Sequence, residues 1–206
     1  IQHFIELLSK LPSVGPRQAS RMVFFILREP NGYTKELVEG LTAMRKEVGA
    51  CRECFHFMEN DASGLCEFCK NSKRDSALIS VVEKEADLSN IEKTGAYHGL
   101  YHVLGGTFAP LDPNSPKKLR LDDFYDRIER RAKSDGGALE IIIATSQTTE
   151  GEATARYLER ILEPLTKRHP TLSVSRLGRG MSMGSEVEYA DEVTLHEAFN
   201  HRTKLE

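Results

Sequence analysis

The chain has 206 residues, 39% of them hydrophobic and 29% charged, with a net charge of −3, which is enough for one or two domains around a sizeable core. No run of about 18 apolar residues occurs, so a membrane-spanning helix is excluded, and the lack of a signal-type hydrophobic segment at the front favours the cytoplasm. The charge is uneven: residues 1–50 carry +2, residues 51–74 are neutral and residues 75–206 carry −5, so the front suits phosphates and the back suits a basic protein partner.

Residues 1–49 read as helical. Phe4, Ile5, Leu7, Leu8 and Leu11 line one apolar face, Met22, Val23, Ile26 and Leu27 a second, and Leu37, Val38, Leu41 and Met44 a third, with Gly49 as a stop. The first two faces are joined by Leu11-Pro12-Ser13-Val14-Gly15-Pro16-Arg17-Gln18-Ala19-Ser20-Arg21. Val14-Gly15 predicts a tight turn, and Pro16 suits the first position of the next helix. The N–H groups at that helix start suit a DNA phosphate without reading bases. Arg17 and Arg21 are four apart and share a face that would track neighbouring phosphates. An ordinary turn between two helices, with two solvated arginines, fits the same residues.

Residues 50–72 hold every cysteine. Cys51-Arg52-Glu53-Cys54 and Cys66-Glu67-Phe68-Cys69 are two CxxC pairs with 11 residues between them. Each CxxC turn aims two thiolates at one point, and four soft ligands suit a tetrahedral Zn²⁺. Two disulfides or reduced structural thiols are the alternatives, stable disulfides being disfavoured in a cytoplasmic chain. Four thiolates leave no open coordination position, so the metal is expected to be structural. His56, between the pairs, reads as a surface side chain rather than a competing ligand.

From 75 to 174 strands and helices alternate. Strands are expected over 77–82, 98–104, 139–144 and 172–174, and helices near 85–94, 121–134 and 150–166, which predicts an α/β unit with a mainly parallel sheet. Glu83 ends the first strand with a carboxylate. The segment Ala144-Thr145-Ser146-Gln147-Thr148-Thr149-Glu150-Gly151-Glu152 joins an apolar strand to a helix, a common place for an active site. Its loop, however, offers only hydroxyls and one amide. His98 and His102 read as packing beside Tyr97 and Tyr101, with a metal pair as the alternative. Arg127, Arg130, Arg131 and Lys133 read as a solvated helix face, with a second DNA contact as the alternative. The tail, 175–206, carries Gly178, Gly180 and Gly184 around Met181 and Met183, then a short helix near 190–200. Asp191-Glu192 is similar to the end of a Walker B strand, but no GxxxxGK[ST] is present, which disfavours ATP hydrolysis.

These blocks carry a resemblance. The 11–21 segment resembles a helix-hairpin-helix motif, whose usual form has a glycine where this chain has Ser13. Glu83, followed after a later strand by Glu150-Gly151-Glu152, resembles the Toprim domain of topoisomerases and primases. There a glutamate and an Asp-x-Asp pair hold Mg²⁺ for phosphoryl transfer. In this chain Ser146 and Thr148 stand at the two aspartate positions, and hydroxyls do not replace two anionic ligands. The order hairpin, four-cysteine module, Toprim and tail resembles the RecR family of bacterial recombination mediators over essentially the full chain. Thr94 to Gly106, Pro110-Leu111-Asp112, Thr149 to Thr154 and Glu188 to Leu195 are further matching stretches. Ser13, the pair Ser146-Gln147 and a long loop between the CxxC pairs depart from the family pattern.

The resemblance implies a multi-module α/β protein. Its parts would be a helix-hairpin-helix domain (1–49), a C4 zinc finger (50–72), a Toprim domain (75–174) and a C-terminal segment with oligomer contacts (175–206). It implies a non-enzymatic DNA-binding clamp of recombinational repair, a tetrameric ring at the nucleoid. That ring would work with RecO and RecF to load RecA on single-stranded DNA. Arg17 and Arg21 would face single- or double-stranded DNA without sequence preference. Cys51, Cys54, Cys66 and Cys69 would hold one structural Zn²⁺. Glu83, Glu150 and Glu152 would form the docking site for basic RecO. A Mg²⁺-dependent Toprim nuclease or topoisomerase-like enzyme using those glutamates is the alternative function.

Overall fold

A computed structural model of the chain describes residues 1–134 and 137–202; the end of the expected C-terminal segment, 203–206, lies outside the described residues. The chain divides into two units, the first Ile1–Gly49 and the second starting at Ala50.

The first unit holds α1 (Gln2–Leu8), α2 (Pro16–Arg28) and α3 (Asn31–Glu47). α1 is shorter than its apolar pattern, because the chain turns at Ser9 and Leu11 lies in the connection to α2. Pro16 opens α2, where its missing N–H costs no hydrogen bond. α2 buries only Ala19 and Val23, and α1 and α3 bury nothing. Phe4, Leu7, Met22, Phe24, Phe25 and Leu41 are among the large apolar side chains left exposed.

In the second unit, short strands β1 (Val48–Ala50, which begins in the first unit) and β2 (Phe57–Glu59) and a four-residue helix α4 (Glu67–Lys70) frame the cysteines. The α/β body follows as β3 (Asp75–Val82), α5 (Glu85–Thr94), β4 (Gly99–Val103), α6 (Leu121–Ser134), β5 (Leu139–Ala144), α7 (Thr149–Arg168) and β6 (Leu172–Arg176). α8 (Glu192–Asn200) closes the described chain. The four long strands form one sheet in the order β4-β3-β5-β6, every neighbouring pair parallel. Parallel strands bury both faces, which is why Ile79, Val81 and Val82 of β3 and Ile141 and Ile143 of β5 read as continuous apolar runs. Phe124 and Ile128 of α6, with Leu158, Leu162 and Leu165 of α7, pack in the larger core cluster with Ile79, Val81, Ile141 and Ile143. Leu88 of α5 packs with Val82, Tyr101 and Val103 in a second cluster. From β3 the chain passes to β4 on one side and later returns to β5 on the other, so the strand order reverses between β3 and β5. Ligand sites of open α/β sheets lie at such a reversal, beyond the carboxyl ends of the strands.

Candidate functional site

The hairpin is built by backbone conformation more than by packing. Ser13 sits at φ +62°, in the left-handed region that side chains avoid, and this explains the glycine usual at that position. The Val14 N–H donates to the Leu11 carbonyl at 3.1 Å and closes the turn. Gly15 is the N-cap of α2, with its own N–H donating to Gln18 Oε1 at 3.4 Å. Arg17 and Arg21 both project from the first turns of α2 as exposed side chains.

In the knuckle the sulfur atoms of Cys51, Cys54, Cys66 and Cys69 all lie within 4.8 Å of one another, and none is in a disulfide. Cys54 and Cys66 Sγ are 3.3 Å apart. Hydrogen bonding from Cys54, then from Cys66 and Cys69, pulls the Cys51 thiol far down, while its bond to Cys51 pushes Cys54 up. Four thiols this close cannot all ionise without a central cation, and the donor set fits one tetrahedral metal. His56 is half-buried against the Phe68 ring at 5.3 Å rather than in the sulfur cluster. Asp61 organises the long loop between the pairs, accepting from the Ser63 and Gly64 N–H groups and pairing with Lys70. The knuckle is fixed to the body: the Val103 N–H of β4, an outer strand of the sheet, donates to the Cys54 carbonyl at 2.8 Å. Arg74 lies over the Phe68 and Tyr101 rings while pairing with Glu92.

At the strand-order reversal, register brings the carboxylate loop together. Val82 pairs with Ala144, so Glu83 and the loop after β5 emerge side by side. Glu83 is only 3% exposed. Its Oε1 accepts from the Ser146 N–H and its Oε2 from the Ser146 hydroxyl, both at 2.9 Å. Thr148 is the N-cap of α7, its hydroxyl accepting from the Gly151 N–H at 3.1 Å. Both hydroxyls at the aspartate positions therefore have structural work. Gly151 is required by close approach: a Cβ there would overlap the Ser146 carbonyl and come within 2.8 Å of Glu83 Oε1.

The three glutamates do not form one acidic face. Glu83 is inside. Glu150 is exposed and makes no ion pair among the described residues. Glu152 accepts from Arg176 at 3.0 Å and Arg156 at 3.1 Å and pairs with Arg179. Its partial burial would raise its pKa, but the three guanidiniums outweigh this and hold it at about 2. Sequence patterning missed this arginine clamp, because Arg176 and Arg179 arrive from β6 and the loop after it.

Other expected residues fall out differently. His98 precedes β4 and is exposed, while His102 is fully buried, so the two do not assemble. Burial, with the nearby Arg127 charge, holds His102 neutral with a pKa of about 3. Arg127 is not on a solvated face: it is 2% exposed and donates from Nη1 to the Tyr101 carbonyl at 2.5 Å. Asp191 caps α8 by accepting from the Thr194 N–H at 2.9 Å, an ordinary helix start.

Fold and sites together define a Toprim-type α/β protein carrying a hairpin module and a four-cysteine metal site. The Toprim domain model matches residues 77–177, and models of the RecR helix-hairpin-helix and RecR C-terminal regions match residues 1–45 and 180–203. The chain is 43% identical over 202 residues to recombination protein RecR of Magnetococcus marinus, covering 98% of this chain and 94% of that one. It is 40% identical over 206 residues to the RecR of Rippkaea orientalis, covering 100% and 98%, and 38% identical to that of Cutibacterium acnes. The chain belongs to the RecR family, with a role in recombinational repair. Among the described residues, no helix is long and apolar enough to cross a membrane.

Proposed function

We propose that the protein is a non-enzymatic DNA-binding mediator that acts with RecO and RecF to promote RecA loading on single-stranded DNA. The observation that carries the non-enzymatic part is the closure of the carboxylate loop. Glu83, the carboxylate that would face a Toprim metal, spends both oxygens on Ser146. Residues 1–49 serve as the DNA-facing hairpin domain, 50–72 as the metal knuckle, 75–174 as the scaffold and 175–206 as an oligomer contact. Arg17 and Arg21 contact backbone phosphates, supported by their exposure beside the α2 start. Cys51, Cys54, Cys66 and Cys69 hold one Zn²⁺ that organises the knuckle and does no chemistry, supported by their sulfur geometry. A homotetrameric ring is supported by the apolar side chains that the helical unit leaves exposed. In the docking site for RecO, Glu150 is the exposed anchor. Glu152 joins by exchanging its arginines for the partner's, and Glu83 holds the loop from within.

The test is DNA affinity against salt. Weak, sequence-independent binding should fall steeply as salt rises, and Arg17→Glu with Arg21→Glu should abolish it. A salt-insensitive affinity, or unchanged binding in the double variant, rejects the reading. Mg²⁺-dependent nicking that disappears in Glu83→Gln would put the Toprim enzyme in its place.

A further inference from the structure

The knuckle and α6 enclose a cavity of about 230 Å³, lined by Glu53, Leu100, Arg127, Arg130 and Arg131 among others. The Cys69 thiol also lines it, and Arg127 and Arg130 share the Glu53 carboxylate. Arg127 is 2% exposed, yet its Nε and Nη2 have no hydrogen-bond partner among the described residues. Those two nitrogens form the side-on edge of the guanidinium, whose parallel N–H bonds grip two oxygens of one anion. The Glu53 carboxylate stops short of it, 3.6 Å from Arg127 Nε, and is shared with Arg130 at 3.3 Å. A buried guanidinium edge that makes no hydrogen bond is costly.

We propose that this cavity is a binding site for a phosphoryl oxyanion, gripped by the Arg127 edge and reached by Arg130 and Arg131, with Glu53 as the internal competitor that it displaces. A tetrahedral phosphate presents three or four acceptor oxygens, enough for Arg127 and Arg130 together, where the Glu53 carboxylate has two. The phosphate comes either free or as a backbone group of DNA. The site uses none of the hairpin arginines and stands whether or not the proposed function does.

The test uses the full-length, metal-loaded chain and calorimetric titration with inorganic phosphate at ionic strength fixed by chloride. Arg127 is a core residue, so Arg130→Gln and Glu53→Gln carry the test, each checked for an unchanged circular dichroism spectrum. Loss of one charged hydrogen bond should weaken phosphate about tenfold in Arg130→Gln, and removal of the competitor should tighten it about tenfold in Glu53→Gln. A fastening role for the Glu53–Arg127 pair alone predicts no saturable binding in any of the three proteins, or one affinity shared by all, and either result overturns the proposal. A second arm measures a short single-stranded oligonucleotide in the Arg17→Glu, Arg21→Glu background. Residual binding that Arg130→Gln removes assigns the phosphate to DNA; phosphate binding without it assigns the free anion.

Discussion

The two units solve the problem of burial in opposite ways. The α/β body closes its own core, with both faces of a parallel sheet covered and a knuckle fastened to its outer strand. The helical unit has equally clear apolar periodicity, yet buries only Ala19 and Val23 while Phe24 and Phe25 stay about half exposed. Periodicity thus specifies which face of a helix wants a partner without saying whether the same chain supplies it. The body should be stable at any concentration, and the helical unit should be stable in proportion to its assembly.

The largest expected effect is on the body. Chelation of the metal, or Cys66→Ser, should remove binding free energy on the order of 10 kcal/mol, seen as loss of knuckle protection in hydrogen exchange. Exchange in α2 and α3 should be unchanged, and a parallel loss there would break the contrast. Next comes dilution: a hundredfold drop in concentration should cost the helical unit about 3 kcal/mol of apparent stability, read from exchange in α2. Exchange in β3 and β5 should not move. Ser146→Ala should then cost the body about 1–3 kcal/mol by leaving buried Glu83 Oε2 without its hydroxyl donor, measured by thermal unfolding.

A smaller effect is the pH dependence of Glu152. Its folded pKa of about 2 lies below the ordinary value of 4.5, so its contribution is present above pH 4.5 and is lost as pH falls toward 2. Acid titration of Glu152→Gln should show a shallower loss over that window; an identical curve would reject the clamp. Smallest is Ser13→Gly in the helical unit, expected to gain up to about 1 kcal/mol by relieving the left-handed backbone, seen as slower exchange at the hairpin.

Much of this was legible in the residues. Continuous apolar runs marked the strands because parallel sheets bury both faces, and the cysteine spacing marked the knuckle because two CxxC turns must converge. The ends of β3 and β5 were adjacent in prospect, since the Toprim resemblance placed Glu83 near the 144–152 loop. Long-range pairings were not legible. No local pattern foretells that Ser146 would turn both donors on Glu83, that Arg176 and Arg179 would neutralise Glu152, or that Arg127 would point inward. Each depends on register between elements far apart in sequence. Short pieces such as α4 and β2 were also silent, being too brief to show a period.

The bond from the Val103 N–H to the Cys54 carbonyl has a consequence for the cell as well as for the fold. It covers part of the free margin of the sheet, and an uncovered strand margin is a template on which another chain can add. A metal-starved molecule would therefore be sticky before it is unfolded. Its depletion from the pool should begin as precipitation seeded along β4, and chelator-treated samples should lose protein to the pellet while their helical signal is still largely intact.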